Sequence, residues 1–428
     1  MMLAWILIGL LAILLTGIPL FAGMSLASIG LLLVVEGRVA GLADEVFAKL
    51  SNYLLVAIPL FAFMAHVMIK ARVVDDLYAL AHTLVRHWPG GLGVATVMAC
   101  TIFAAISGSS VATALTIGTA AIPQMLRYGY KPHAAYGVLA AGGTLGILIP
   151  PSGPMVLYGV VSDTSIGALF VAGIIPGALM ALLFSLYCVL HSLFTGQTER
   201  PARANWAEIW PSLRRGFWAL LLPPIVLGGM YAGVFTATEA AAVGAIAAIL
   251  IARFAYNRLS LADLYDAARD SVGTTGMLFM ILAAAAMFGH VIAVLGLPRQ
   301  LVELTTALGI GPITFMLAVM AMIFLLGMFL ETISIILITT PIVLPVMLLL
   351  EINPVWYGVL LTINLELALI TPPVGMNLFV IKGITGGAMG PIVRGVLPYV
   401  AIMLVTLFLV LFFPELALWL PSTMALGR

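Results

Sequence analysis

Apolar runs long enough to cross a bilayer recur from one end of this chain to the other. A stretch of about 18 or more apolar residues marks a transmembrane helix, because a helix rises ~1.5 Å per residue against a hydrocarbon core about 30 Å thick. That repetition restricts the chain to a polytopic bundle of membrane helices. The runs are continuous rather than alternating, which excludes a β-barrel. Only 8% of the 428 residues are charged, where a soluble domain carries roughly 25%. The net charge of +1 suggests no nucleic-acid partner. Cys100 and Cys188 lie in apolar segments without ligand spacing and read as core. The opening run MMLAWILIGLLAILL lacks a basic flank and a small-residue cleavage site, and is expected to be a retained first helix.

The runs are interrupted in informative places. Residues 1–35 are too long for one crossing and break at Thr16 to Pro19. A span at 51–69 precedes an amphipathic stretch, 71–88, with Arg72, Asp75, Asp76 and Arg86 expected on its wet side. Two apolar arms, 92–106 and 111–126, then flank Ser107-Gly108-Ser109-Ser110, a helix-breaking, hydroxyl-rich turn inside an apolar run. Segment 132–161 is expected to break twice, at Gly142-Gly143-Thr144 and at Pro150 to Pro154. A clean span, 166–190, leads to a polar loop, 196–216, and two spans, 217–234 and 238–252, with Thr236 or Thr238 as N-cap between them. An amphipathic stretch, 259–270, a span at 272–296 and an arm at 298–308 follow. Arms 312–328 and 333–350 flank Met328 to Thr332, segment 354–385 breaks at Thr371 to Gly375, and 391–413 is the last span.

This order is a duplication. Tyr136-Gly137-Val138-Leu139 recurs as Tyr357-Gly358-Val359-Leu360, 221 positions on, where Pro151 meets Pro372 and Met155 meets Met376. At an offset of 222, Pro123 and Met125 meet Pro345 and Met347. If both arm pairs are re-entrant hairpins, five crossings separate the repeats, so the second is inverted. With the 196–216 loop cytoplasmic, 14 of the 18 basic residues fall inside and 4 outside, as the positive-inside rule requires. The expected fold is all-α, with about ten transmembrane helices and two re-entrant hairpins in inverted repeats. Residues 1–50 are scaffold helices. Residues 51–195 form the first repeat, with hairpin 92–126 and broken helix 132–161. Residues 196–270 hold the cytoplasmic loop and a central helix pair. Residues 271–428 form the second repeat, with hairpin 312–350 and broken helix 354–385.

Backbone left unpaired at membrane depth persists only where protein buries it or a cavity wets it. Inverted repeats with broken helices are a secondary-transporter design, in which helix N-termini face anions and unwound carbonyls coordinate Na⁺. The oxygen-rich breaks suit an alkali cation better than zinc or copper. Candidate sodium ligands are Ser107, Gly108, Ser109, Ser110, Gly142, Gly143, Thr144, Gly327, Glu331, Thr332, Thr371, Pro372 and Gly375. Candidate substrate-binding residues are Ser107, Ser109, Pro151, Ser152, Glu331 and Asn377. Glu331 is the sharpest of these, since an ionisable group at membrane depth is functional by default. Glu366 and Asn364 fit either a site or packing, Glu239 a helix N-terminus, and His66 and His290 the interior. Small hydroxyl residues and glycines also serve plain helix packing. A serine-nucleophile membrane enzyme would need a base in reach, and nothing in the spacing of His66 or His290 suggests one; no catalytic residue is expected.

The runs FAAISGSSVATALTIGTAAIPQMLRYGY, AAGGTLGILIPPSGPMVLYG, LLPPIVLGGMYAGVFTATEAAAVGA, GMFLETISIILITTPIVLPV and ITPPVGMNLF resemble the large membrane subunit of TRAP transporters, the DctM-like family. The likeness covers essentially the whole chain, with Glu331 where Asp is usual. It implies Na⁺-driven uptake of an organic anion, a C4-dicarboxylate, sialic acid or related carboxylate, across a bacterial inner membrane by an elevator mechanism; with ten crossings and the basic-residue bias, both termini are then expected in the periplasm. It also implies two partners, a small four-helix membrane subunit (DctQ-like) and a periplasmic substrate-binding protein (DctP-like). The competing reading is a self-sufficient Na⁺/dicarboxylate carrier.

Overall fold

The computed structural model describes residue 9 and residues 17–195 and 202–424, and among these every regular element is helical. The first span expected within 1–16 and the retained N-terminal helix lie outside the described residues, apart from residue 9. α1 (Leu20–Val35) follows the Gly17 turn, and α2 (Leu42–Leu50) is a short helix after it. α3 (Ala57–Lys70) and α4 (Val73–Val85) precede the first arm pair, α5 (Gly91–Ser107) and α6 (Ser110–Arg127). The broken segment becomes α7 (Pro132–Leu148) and α8 (Gly153–Ser162), and α9 (Ile166–Thr195) closes the first half. α10 (Trp206–Leu220) and α11 (Ala237–Leu250) connect the halves. The second half is α12 (Leu261–Val294), α13 (Leu297–Ala307), the arm pair α14 (Pro312–Gly327) and α15 (Thr332–Leu349), the broken pair α16 (Pro354–Leu369) and α17 (Met376–Thr385), then α18 (Met389–Phe412) and α19 (Glu415–Ser422).

The duplication survives in three dimensions. Second arms open at Ser110 and at Thr332, and the first halves of the broken helices end at Leu148 and Leu369. The packing is reciprocal. The second arm of each repeat lies on the half-helix of the other, α6 on α17 and α15 on α8. Every residue from Ala135 to Leu148 of α7 and from Trp356 to Leu369 of α16 is buried. α7 is almost wholly apolar, so no face of it needs water, whereas α16 buries Asn364 and Glu366 with hydrogen-bond partners, the Met320 carbonyl and the Ser110 hydroxyl. Small residues set the tightest crossing: a Cβ on Gly137 would overlap the Gly395 carbonyl, and one on Gly395 the His133 carbonyl. Backbone approach of this kind, rather than hydrophobic exclusion, holds membrane helices together.

Seven helical segments among the described residues have the length and composition to cross a bilayer: Tyr53–Lys70, Pro132–Ser162, Ile166–Thr195, Ala237–Ala255, Leu261–Val294, Thr332–Leu349 and Met389–Phe412. Shorter apolar helices include Leu20–Val35, Gly91–Ser107, Pro312–Gly327, Pro354–Leu369 and Met376–Thr385.

Several expectations need correction. The helix does not break at Gly142-Gly143-Thr144; α7 runs through it. The two glycines are there for contact, with Gly142 against the Cys100 sulfur and Gly143 against Ala114, while Thr144 returns its hydroxyl to the Ala141 carbonyl at 2.6 Å. The amphipathic stretch and the span expected at 259–270 and 272–296 are one helix, α12, started by a Ser260–Asp263 capping box. The polar loop is partly helical, since α10 begins at Trp206 behind the Asn205 cap. The expected span 217–234 is a composite of the end of α10, a π-helical turn (Pro224–Gly228) and the turn Gly229–Tyr231. Asp76 is not on the wet side; it is buried and takes a 2.7 Å ion pair from Arg258. Of the two threonines offered as caps, Thr236 serves, in a reciprocal box with Glu239.

Candidate functional site

Four helix beginnings meet at one cavity of about 230 Å³. They belong to α6 (Ser110, Val111), α8 (Gly153, Pro154), α15 (Thr332, Ile333) and α17 (Met376). Each first turn carries N–H groups without an intrahelical acceptor and a partial positive charge, so the cavity is built to face negative charge. Two of the four helices come from each repeat.

Local sequence explains each beginning. At the first tip Gly108 sits in the left-handed region, φ 59°, where a side chain is strained. A Cβ there would also overlap the Pro151 carbonyl oxygen, so glycine lets the tip touch the break. Ser109 then caps α6, accepting from Ala112 N–H at 3.3 Å. Thr113 donates to the Ser109 carbonyl at 2.8 Å, which uses its only proton. The 2.8 Å contact between Ser107 and Thr113 therefore has Ser107 as donor. Ser152 caps α8 from a fully buried position, accepting from Met155 N–H at 3.4 Å. Glu331 caps α15, with its carboxylate accepting from Ser334 N–H at 3.4 Å and from the Ser334 hydroxyl at 3.3 Å. Gly375, φ 57°, precedes α17.

Ser107, Gly108, Ser109, Ser110, Pro151, Glu331 and Thr332 all line the cavity. Ser152 and Asn377 are fully buried beside it. Gly142, Gly143 and Thr144 do not line it, and neither do Gly327, Thr371, Pro372 and Gly375. Gly327 packs on Ala368, and the Thr371 hydroxyl returns to the Leu367 carbonyl at 2.7 Å. Glu366 acquires a partner the sequence did not name: its Oε2 accepts from the Ser110 hydroxyl at 2.9 Å. Ser110 in turn accepts from the Asn377 amide at 2.7 Å. This chain of three buried groups ties the first tip to both halves of the second broken helix.

The opposite wall was not legible from the motifs. It consists of Ile58, Phe61 and Ala62 on α3 with Thr274, Met277 and Leu278 on α12. α3 and α12 pack on one another, α1 packs on α12 and α11 on α3, so the cavity lies between this group and the broken-helix core. Among the described residues Glu331 is the only charged one lining it, and no lysine or arginine does.

The comparisons with known proteins agree with this architecture. The family description "Tripartite ATP-independent periplasmic transporter, DctM component" matches residues 7–416. The chain is 39% identical over 397 residues to the C4-dicarboxylate TRAP transporter large permease protein DctM of Pseudomonas aeruginosa, covering 93% of each chain. It is 34% identical to the sialic acid TRAP transporter large permease protein SiaM of Vibrio cholerae, covering 97% of each. The Alcanivorax borkumensis YdaH transporter, solved by crystallography, shares the fold, with a TM-score of 0.66 at 14% identity over 87% of this chain and 86% of that one. With 410 of its 428 residues inside the family match, this chain belongs to the DctM family of TRAP transporter large permease subunits.

Proposed function

We propose that this permease carries an organic anion, a C4-dicarboxylate, sialic acid or a related carboxylate, into the cell together with Na⁺. The carrying observation is the charge of the cavity: helix beginnings and hydroxyls, one carboxylate, and no basic side chain. An anion entering beside Glu331 is favoured by the helix dipoles but opposed by that carboxylate. Co-bound cations resolve the conflict, and the membrane potential contributes about 2.3 kcal/mol per net charge per 100 mV. Sodium's expected oxygen ligands at the first tip are those of Ser107 to Ser110, and at the second those of Glu331 and Thr332, with Thr371, Pro372 and Gly375 nearby. Gly142, Gly143, Thr144 and Gly327 support these sites by close packing.

The cavity's position supports an elevator mechanism. One wall is the α3–α12 group and the other is the broken-helix core, so sliding one against the other would carry the site across. In this reading ten crossings and two re-entrant hairpins place both termini in the periplasm of a bacterial inner membrane. A small four-helix subunit and a periplasmic binding protein complete the transporter. The test is uptake by proteoliposomes holding the chain and its small subunit, with the binding protein present or absent. Sodium-dependent uptake only with the binding protein supports the proposal; full uptake without it points to a self-sufficient carrier. Ser109→Val is expected to shift the sodium activation curve more than substrate affinity at saturating sodium. Identical activation curves would leave Ser109 a turn residue.

A further inference from the structure

A second cleft, of about 210 Å³, lies away from the transport cavity and shares no lining residue with it. It is formed where the start of α7, the end of α9 and the start of α18 come together. Its polar lining includes Lys131, His133, His191 and Arg394, and no carboxylate. Neither Lys131 nor Arg394 has an ion-pair partner among the described residues. Lys131 and Arg394 put two permanent positive charges around one cleft lined by no carboxylate, and like charges so placed repel one another unless an anion sits between them.

The rest of the cleft narrows the class of anion. Its inner wall is fixed: Tyr399 meets the Cys188 sulfur at 3.4 Å and packs edge-on against Tyr187, with ring centroids 5.0 Å apart. The Tyr130 hydroxyl accepts from Gly93 N–H at 3.2 Å. The Gly137–Gly395 crossing holds α7 against α18 just below. Apolar groups, Ala134, Val138 and Pro398, complete the lining. Exposed Leu190, Leu193 and Phe194 on α9 and Leu397 on α18 continue the apolar surface nearby. The basic-residue bias puts this end of the bundle on the cytoplasmic side, where the leaflet is anionic. Cations around a cleft with an apolar flank suit a headgroup phosphate with an acyl chain beside it.

We propose that this cleft is a phosphate site occupied by the headgroup of an anionic phospholipid from the cytoplasmic leaflet. The site clamps α7 and α18 of the broken-helix core to α9, so its occupant stabilises that junction.

The test uses the full chain, delipidated in detergent and titrated with phosphatidylglycerol, phosphatidylcholine or inorganic phosphate, with bound lipid read by native mass spectrometry and stability by thermal unfolding. Phosphatidylglycerol is expected to be retained in preference to phosphatidylcholine and to raise the unfolding temperature. The paired variant Lys131→Ala, Arg394→Ala is expected to bind it roughly thirtyfold more weakly, the combined effect of two interfacial cations. Both side chains are exposed, so the variant should fold; Arg394→Gln alone, expected to lose part of the preference, provides a milder second measurement. Equal retention of the two lipids, or unchanged phosphatidylglycerol binding in either variant, would overturn the proposal. Stabilisation by inorganic phosphate alone, abolished in the paired variant, would reassign the site to a soluble phosphate and overturn the lipid occupant.

Discussion

The hydroxyl of Ser110 donates to the carboxylate of Glu366 at 2.9 Å, across 256 positions of sequence. Both groups are almost wholly buried, and the second oxygen of Glu366 has no hydrogen-bond partner among the described residues. Ser110→Ala would leave Glu366 without its hydroxyl and Asn377 without its acceptor. Orphaned buried polar groups cost about 1–3 kcal/mol each. The expected result is a lower unfolding temperature, and a double-mutant cycle with Glu366→Gln in which the two losses are less than additive. Strict additivity would show that the bond contributes nothing to the folded state.

Gly108 touches the Pro151 carbonyl and has a left-handed backbone. Gly108→Ala should push the first tip away from the first break and reduce uptake severely, with the complex still assembled. Gly383→Ala is the control, because that glycine has open space around its missing side chain and no left-handed φ. Similar uptake by the two variants would mean that the tip tolerates displacement.

Among the described residues Glu331 is the one charged group lining the cavity of about 230 Å³, and it is also the cap of α15. Glu331→Gln retains an oxygen for the cap but loses the charge. Uptake should fall at least tenfold, with altered sodium dependence and normal expression. Glu331→Asp, shorter but charged, should retain more activity than Glu331→Gln. Wild-type uptake by Glu331→Gln would reduce this residue to its capping role.

Thr236 and Asn257 lie beyond the two ends of the Ala237–Ala255 span. Single cysteines at these positions should react with impermeant thiol reagents from opposite sides, Thr236→Cys from the periplasm and Asn257→Cys from the cytoplasm. Labelling from one common side would dismantle the orientation inferred from the basic residues.

From the sequence came the class of protein, the broad order of its elements and most of the places where helices stop. These are local properties: run length, a glycine or proline that ends a helix, a hydroxyl or carboxylate that caps the next. The breaks at Gly108, at Pro150 to Ser152 and at Thr371 to Gly375 were legible for that reason, and so was the offset of 221–222 that relates them. Gly142-Gly143 was misread because small residues serve a break and a close helix contact equally well, and only the neighbours Cys100 and Ala114 distinguish the two. Only the tertiary structure brings both tips and the first break to one cavity, with the second break represented there by its flanking Leu369 and Met376; it also walls the cavity with Ile58, Phe61 and Met277 from another group of helices and joins Glu366 to Ser110 and Asn377. A buried carboxylate needs a hydrogen-bond donor, but nothing local to Glu366 states which of the distant hydroxyls the packing of α6 against α17 will bring to it.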